Sequence, residues 1–416
     1  MIFSPKNHAR QRENFYAPLR DKFWPELYDM EYSLLDMYLL PQEEIDEIRL
    51  ATERVGKIFA KTAAMLRQAD DKVFWELDFP EETYQYIRMK TINPESVIAR
   101  VDLAKTPAGY KVLEINSDTP TFIKECFNIN SLVCSEFGVK DPNHGLESQL
   151  AEAVRMAIID SYKYIGGSGM PYVVFTSHGD HVEDKYTAMY LLELSKLVNA
   201  SYCPLNELKI DESGLSESND RKIDVLYRQT YPIEHLIHDQ DQNSNINVGT
   251  FLLDHIAKRK LAVVNPPSAF LLQTKGVQVV IWGLHEEETF FTPEEHQWIE
   301  QYMLPTYFEE DWFIQDKEPY VKKPCFGREG DTVEIFHPDG TLMYADKNRS
   351  YTDSAPVCQK FVELPKTRIK TIGGEKEAHL LTGCFLISGK ASALGLRAGN
   401  IITDNATYYL PVGIKE

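Results

Sequence analysis

Apolar and polar positions change period several times along the chain, and each change marks an element. In PQEEIDEIRLATERVGKIFAKTAAMLRQ, residues 41–68, apolar side chains recur at helical spacing behind an acidic first turn, which predicts an amphipathic helix with a solvated charged face. The first ninety residues read as mainly helical. From Val97 to Leu103, and again from Lys111 to Asn116, the period shortens to two. Between them Lys105-Thr106-Pro107-Ala108-Gly109 carries loop chemistry, so a β-hairpin is predicted. Helices are expected near residues 121–137 and from Glu147 to Tyr164. Buried-strand patterns at Tyr172–Phe175, KIDVLYRQ and LAVVNPP then alternate with a helix from about His181, which implies a lobe with a largely parallel sheet. After Pro319 the β runs PYVKKPCF, DTVEIFH, TLMYAD, APVCQKFVEL and HLLTGCFLIS follow closely, separated by turns such as Pro338-Asp339-Gly340, and predict antiparallel pairing. The stretch DQDQNSNINVG is the best candidate for a mobile surface loop.

The hairpin carries chemistry that a structural strand does not need. On pleated strands Arg100 and Asp102 share one face, as do Glu114 and Asn116. A register symmetric about Ala108 sets Asp102 opposite Glu114 and Arg100 opposite Asn116. Opposed carboxylates about 5 Å apart repel by about 3 kcal/mol at an effective dielectric near 20, so positive charge is expected between them. Arg100 is one source. A divalent hard cation is the other, because carboxylates and an amide oxygen form a partial ligand set for Mg²⁺, completed by water and phosphate. Spacing alone favours Arg100 as an ordinary ion pair.

Composition narrows the classes of function. A chain of 416 residues is long enough for two or three lobes. Its formal charge of −19 disfavours nucleic-acid backbone binding, which needs a clustered basic face, and leaves small cationic ligands open. No apolar run is long enough to span a membrane, and MIFSPKNHARQ lacks the core of a signal peptide, so a cytoplasmic protein without a membrane partner is expected. The six cysteines form no C-x-x-C pair and no zinc spacing, and read as reduced thiols.

The segment Tyr320-Val321-Lys322-Lys323-Pro324-Cys325-Phe326-Gly327-Arg328-Glu329-Gly330 places lysines on a strand before a turn bounded by glycines. Gly327 and Gly330 would let backbone amides approach a phosphate, and one lysine would add a compact charge. The G-x-x-x-x-G-K-[ST] loop is missing, and a hairpin turn with incidental charge is the alternative. Lys322 and Lys323 alternate faces, so only one is expected to point into a site.

RVD, LEINSDTPT with Glu125, NPPSAFLLQTKGVQVVIW, VKKPCFGREGDTVEIF, CQKFVELP and ALGLRAGNIITDN, in that order, resemble the synthetase domain of glutathionylspermidine synthetase and its stand-alone relatives, from about Arg100 to Asn405. The resemblance implies an ATP-grasp-like α/β fold, with a largely parallel α/β lobe packed against an antiparallel lobe that clamps the nucleotide. It suggests a helical region over 1–95, the hairpin metal site and substrate lobe over 96–318, and the clamping lobe with a C-terminal active-site segment over 319–416. By resemblance Arg100 and Arg397 act at the reacting phosphoryl group, and Asp102, Glu114 and Asn116 hold two Mg²⁺ ions. Lys275, Lys323, Gly327, Gly330 and the strand Gln359-Lys360-Phe361-Val362 would bind ATP. Thr119 and Thr121 would lie near a thiol peptide, and Glu183 and Asp184 near a polyamine. As alternatives, the threonines cap the following helix and the acidic pair is an ordinary first helical turn. The implied activity is an ATP-dependent carboxylate-amine ligase acting through an acyl phosphate on small-molecule substrates. The bifunctional relatives carry an amidase domain ahead of the synthetase. This chain begins instead with a short helical region, so amidase activity is expected to be absent. A different acid or amine, or a silent nucleotide-binding protein, remains the alternative.

Overall fold

The hairpin forms where the period-two pattern places it, with strands Ile98–Thr106 and Gly109–Asn116. This and every other element comes from a computed structural model that describes residues 4–241, 245–404 and 406–416. The hairpin is the edge of an antiparallel sheet whose other strands come from the far end of the chain: Gly374–Ile387 pairs with Ile98–Thr106, followed by Lys390–Gly399 and Tyr408–Leu410. Lys366–Thr371 pairs with the outer half of Gly374–Ile387. The amphipathic helix forms over Gln42–Leu66 and packs its apolar face, including Ile48, Val55 and Phe59, across this sheet. The approach is close at Gly56, where a Cβ would stand 2.5 Å from Leu386 Cδ2.

The second sheet is parallel, in the order Ala262–Val264, Val225–Gln229, Val173–Ser177, Ala200–Tyr202. Helices Glu147–Tyr164 and Val182–Ser195 pack against it, as the alternating pattern predicts. The two central strands are buried throughout, and their polar C-terminal residues Thr176, Ser177, Arg228 and Gln229 are buried with them. In open α/β sheets ligand crevices lie beyond such strand ends. Asn265 ties this sheet to the hairpin: its Oδ1 accepts from Val97 N and Ile98 N at 2.9 and 3.2 Å, and its Nδ2 donates to the Ile98, Ser117 and Asp118 carbonyls.

The third sheet is antiparallel and runs Thr306–Tyr307, Pro356–Lys360, Tyr320–Pro324, Glu334–Phe336, Leu342–Ala345. The β runs expected after Pro319 therefore divide between two sheets, because the long apolar strands Gly374–Ile387 and Lys390–Gly399 find their burial against the helix Gln42–Leu66. The first ninety residues are also less helical than their pattern suggests: Glu26–Leu27 and Met30–Glu31 form a small hairpin, and Tyr38–Leu40 pairs with Val412–Ile414. Of the stretch DQDQNSNINVG, residues 242–244 lie outside the described residues. Among the described residues no helix is long and apolar enough to cross a membrane.

Candidate active site

In the hairpin Arg100 stands opposite Asn116 and Asp102 opposite Glu114. The register arises by a different route from simple symmetry. Thr106 pairs with Gly109, so only Pro107 and Ala108 fill the turn, and an unbroken ladder would have set Asp102 against Leu113. A register shift between Asp102 and Leu103, with Leu113 as the extra residue, returns the four polar side chains to one face. The bulge also frees the Leu113 carbonyl, which accepts from Lys323 Nζ at 2.8 Å and from Gln278 Nε2 at 3.2 Å.

Side-chain cations supply the positive charge that the opposed acids require. Arg100 forks onto Asp102 through Nε and Nη2 at 2.7 and 2.8 Å, and its Nη1 donates to the Thr121 carbonyl at 3.0 Å. Lys275 Nζ lies 3.3 Å from Glu114 Oε2 and donates to the Gly327 carbonyl at 3.0 Å. Burial would raise the Glu114 pKa, but Lys275, Lys323 and Arg100 outweigh it and hold the carboxyl at about 2. For Lys323 burial wins: the ammonium is pulled down to about 7 despite the attraction of Glu114. Lys323 also donates to Gln359 Oε1 at 2.9 Å, whereas Lys322 turns the other way, to Glu310 at 3.4 Å.

A cleft of about 830 Å³ lies between the hairpin and the five-stranded sheet, lined on its charged side by Asp102, Glu114, Lys275 and Lys323. Gln359, Lys360, Phe361 and Val362 follow along one edge, and Lys360 pairs with Glu318 at 2.9 Å. Gly327 and Gly330 also line it, Gly327 beside Lys275. Gly330 has φ +74°, and a Cβ there would stand 2.6 Å from the Thr403 carbonyl oxygen, so this turn requires glycine. Lys322 does not line the cleft.

The hairpin face fits a hard divalent cation by its donor chemistry. Asn116 Nδ2 lies 3.2 Å from Asp102 Oδ2 and 3.3 Å from Glu114 Oε1, so two carboxylates and an amide converge on one point. A half-turn of that amide presents its oxygen to the same space, which completes an all-oxygen set of the kind Mg²⁺ takes with water and phosphates. Among the described residues no group of three or more His, Cys, Asp and Glu side chains is gathered as a metal centre.

A second cleft, of about 780 Å³, opens on the far side of Glu114. Arg100, Asn116, Thr119, Thr121, Glu183 and Arg397 line it, and it shares Glu114 and Glu329 with the first cleft. The Ser117–Thr121 loop is fixed from the ends of the parallel strands: Arg228 pairs with Asp118, and Gln229 Nε2 donates to the Thr119 and Pro120 carbonyls at 3.3 and 3.1 Å. No threonine side chain caps the π-helical turn Glu125–Ile129 that follows. Arg397 donates to the Asp404 carbonyl at 3.4 Å. Glu183 is buried, and desolvation together with Glu125 and Asp184 raises its pKa to about 8. Asp184 does not line the cleft; it pairs with His181 Nδ1 at 2.9 Å, which places it within the helix N-terminus.

Several lining residues carried no role in the sequence. Arg328 and Glu329 sit inside the glycine-bounded turn and reach this cleft, a placement signalled only by their position between Gly327 and Gly330. Tyr28 and Tyr32 come from the N-terminal region, where no local pattern marks them. Behind the wall Glu125 is fully buried; its Oε1 accepts from the Tyr32 hydroxyl at 2.6 Å and its Oε2 has no hydrogen-bond partner among the described residues. Burial raises its pKa.

Residues 16–415 match the family described as glutathionylspermidine synthase preATP-grasp. A Haemophilus influenzae protein named "Putative acid--amine ligase" is 22% identical over 384 residues, covering 88% of this chain and 87% of that protein. The solved apo structure of a glutathione synthetase-like effector from Globodera pallida superposes with a TM-score of 0.59 at 13% identity, covering 99% of this chain and 98% of its own. That likeness concerns the fold, which is ATP-grasp related.

Proposed function

The chain belongs to the glutathionylspermidine synthase preATP-grasp family, and on that premise we propose that it is an ATP-dependent ligase joining a carboxylic acid to an amine. The observation that carries the reading is the junction of the two clefts at Glu114, with lysines on one side of it and Arg100 on the other. ATP occupies the cleft between hairpin and five-stranded sheet, its base against Gln359–Val362 and its phosphates toward Lys275, Lys323, Gly327 and Gly330. Asp102, Glu114 and Asn116 would hold Mg²⁺, two ions in this reading, which would supply positive charge beside the phosphates.

The acid enters the second cleft. Its carboxylate oxygen attacks the γ-phosphorus, the bond to the bridging oxygen breaks, and ADP leaves. Arg100 and Arg397 face the charge that develops in this transfer. The neutral amine nitrogen then attacks the acyl carbon, the bond from that carbon to the phosphate-bearing oxygen breaks, and the nitrogen's proton ends on the departing phosphate. Thr119 and Thr121, which line this cleft, meet the acid, a thiol peptide such as glutathione in this reading. Glu183 meets a polyamine in this reading, and Asp184 behind it raises the Glu183 pKa while adding negative field for the same cation. Incubation with ATP and Mg²⁺ against a panel of peptides and amines, read as ADP release and product mass, tests the proposal. ADP release that requires both an acid and an amine supports it. Absence of ATP binding removes it, and turnover only with small neutral amines removes the polyamine.

A further inference from the structure

Behind the charged wall of the first cleft lies a closed circuit of hydrogen bonds that turns on Gln278, a buried residue of the helix Gly276–Glu286. Val277 and Ile281, buried on the same helix, are apolar core residues. Gln278 Nε2 donates to the Leu113 carbonyl at 3.2 Å, and its Oε1 accepts from Gln359 Nε2 at 3.0 Å. Gln359 Oε1 accepts from Lys323 Nζ at 2.9 Å, and Lys323 closes the circuit by donating to the same Leu113 carbonyl at 2.8 Å. The polarity is forced. A backbone carbonyl only accepts, so Gln278 meets Leu113 with its nitrogen and turns its oxygen to Gln359, whose own oxygen then faces the lysine. Thr306 agrees with this sense: its hydroxyl proton goes to the Leu304 carbonyl at 2.8 Å, which leaves its oxygen to accept the second Gln359 N–H at 3.2 Å.

The two groups that accept from Lys323, one on the hairpin and one on the five-stranded sheet, are therefore both bonded to a single side chain on a third element. They take two of the directions at Nζ, and a third remains for the cleft that Lys323 lines. An apolar side chain at 278 would fill the core as well, because a buried amide adds little net stability once its hydrogen bonds are set against lost hydration. What the amide adds is one fixed arrangement of its partners. We infer that Gln278 is a positioning residue for the nucleotide: by holding both acceptors of Lys323 it aims that lysine at the phosphates, an inference that rests on the proposed place of ATP in this cleft. Gln278 itself does not line the cleft, so its effect passes through Lys323.

Calorimetric titration of MgATP at pH 7 on the full chain reads the effect. Gln278→Met, close in length and volume, should weaken binding about five- to ten-fold, the scale of one neutral hydrogen bond. In a Lys323→Met background the same substitution should change affinity by less than about two-fold, because the group it acts through is gone. A residue that merely supports the cleft would weaken binding equally in both backgrounds. Gln278→Asn keeps the buried site polar but is one methylene too short to hold both groups. Taken through the same cycle, it should show the same loss and the same dependence on Lys323, and it carries the test if the methionine variant does not fold. Unchanged affinity in the folded variants, or a loss that persists in full without Lys323, overturns the positioning role while wild-type ATP binding, and with it the proposed function, stands. Absence of MgATP binding by the wild type overturns both.

Discussion

Lys323 offers the sharpest test of the proposed nucleotide cleft, because its charge depends on what lies beside it. Burial takes the free ammonium down to about 7, even with Glu114 nearby. At pH 8 only about a tenth of the free molecules therefore carry that charge. A triphosphate within hydrogen-bond reach favours the charged form, and each pKa unit it restores corresponds to about 1.4 kcal/mol. Raising the pKa by about two units leaves about nine-tenths of the bound molecules protonated at pH 8, so binding takes up about 0.8 proton. The sign follows from the depressed base: between the free and bound pKa values the complex holds more protons, so affinity falls as pH rises through that window. Calorimetric titration of MgATP at pH 8, in buffers of different ionisation enthalpy, reads the uptake directly as a slope. MgATP has lost its own last proton by that pH, so the uptake reports the protein. Lys323→Arg should bind without uptake, since a guanidinium is always charged, and Lys323→Met should lose both affinity and uptake. No uptake in the wild type, or the same uptake in Lys323→Met, would refute the placement of phosphate beside this lysine.

Glu114→Gln should abolish Mg²⁺-dependent ADP release, because it removes a proposed metal oxygen and the counter-charge of Lys275 and Lys323 together; ordinary turnover at ordinary magnesium concentration would remove Glu114 from the site. Asn265→Ala should lower unfolding free energy by about 2 to 5 kcal/mol, since five buried hydrogen bonds between hairpin and parallel sheet lose their partner. A denaturant titration showing a loss under about 1 kcal/mol would contradict that tie. Glu183 has a raised pKa of about 8 and is neutral below it, so the KM for a cationic amine should fall as pH rises from 7 toward 9. The same pH series with Glu183→Gln should be flat, and a parallel fall in both proteins would assign the effect to the amine's own titration instead.

Much of this protein is set locally and is therefore legible in its sequence. The 3.6-residue period of Gln42–Leu66, the fully apolar strand cores at Val173 and Val225, and the period-two hairpin each depend on nearest neighbours, and each formed where its pattern lay. The sharing of one face by Arg100 and Asp102, and by Glu114 and Asn116, is likewise a property of the pleat. Tertiary structure decided what those faces meet. The pairing of Asp102 with Glu114 survives a two-residue turn only through the bulge at Leu113, and the carbonyl that the bulge frees is taken by Lys323 from another sheet. Period-two patterning likewise predicted strands after Pro319. Their division between two sheets depended on which apolar strands the helix Gln42–Leu66 covers, a contact across more than three hundred residues. Arg328, Tyr28 and Tyr32 went unmarked because a cleft wall imposes no period on the chain that forms it. Which of Lys322 and Lys323 enters the cleft was open for the same kind of reason: alternation makes the two lysines opposite, and only packing against the hairpin gives one of those faces an inside.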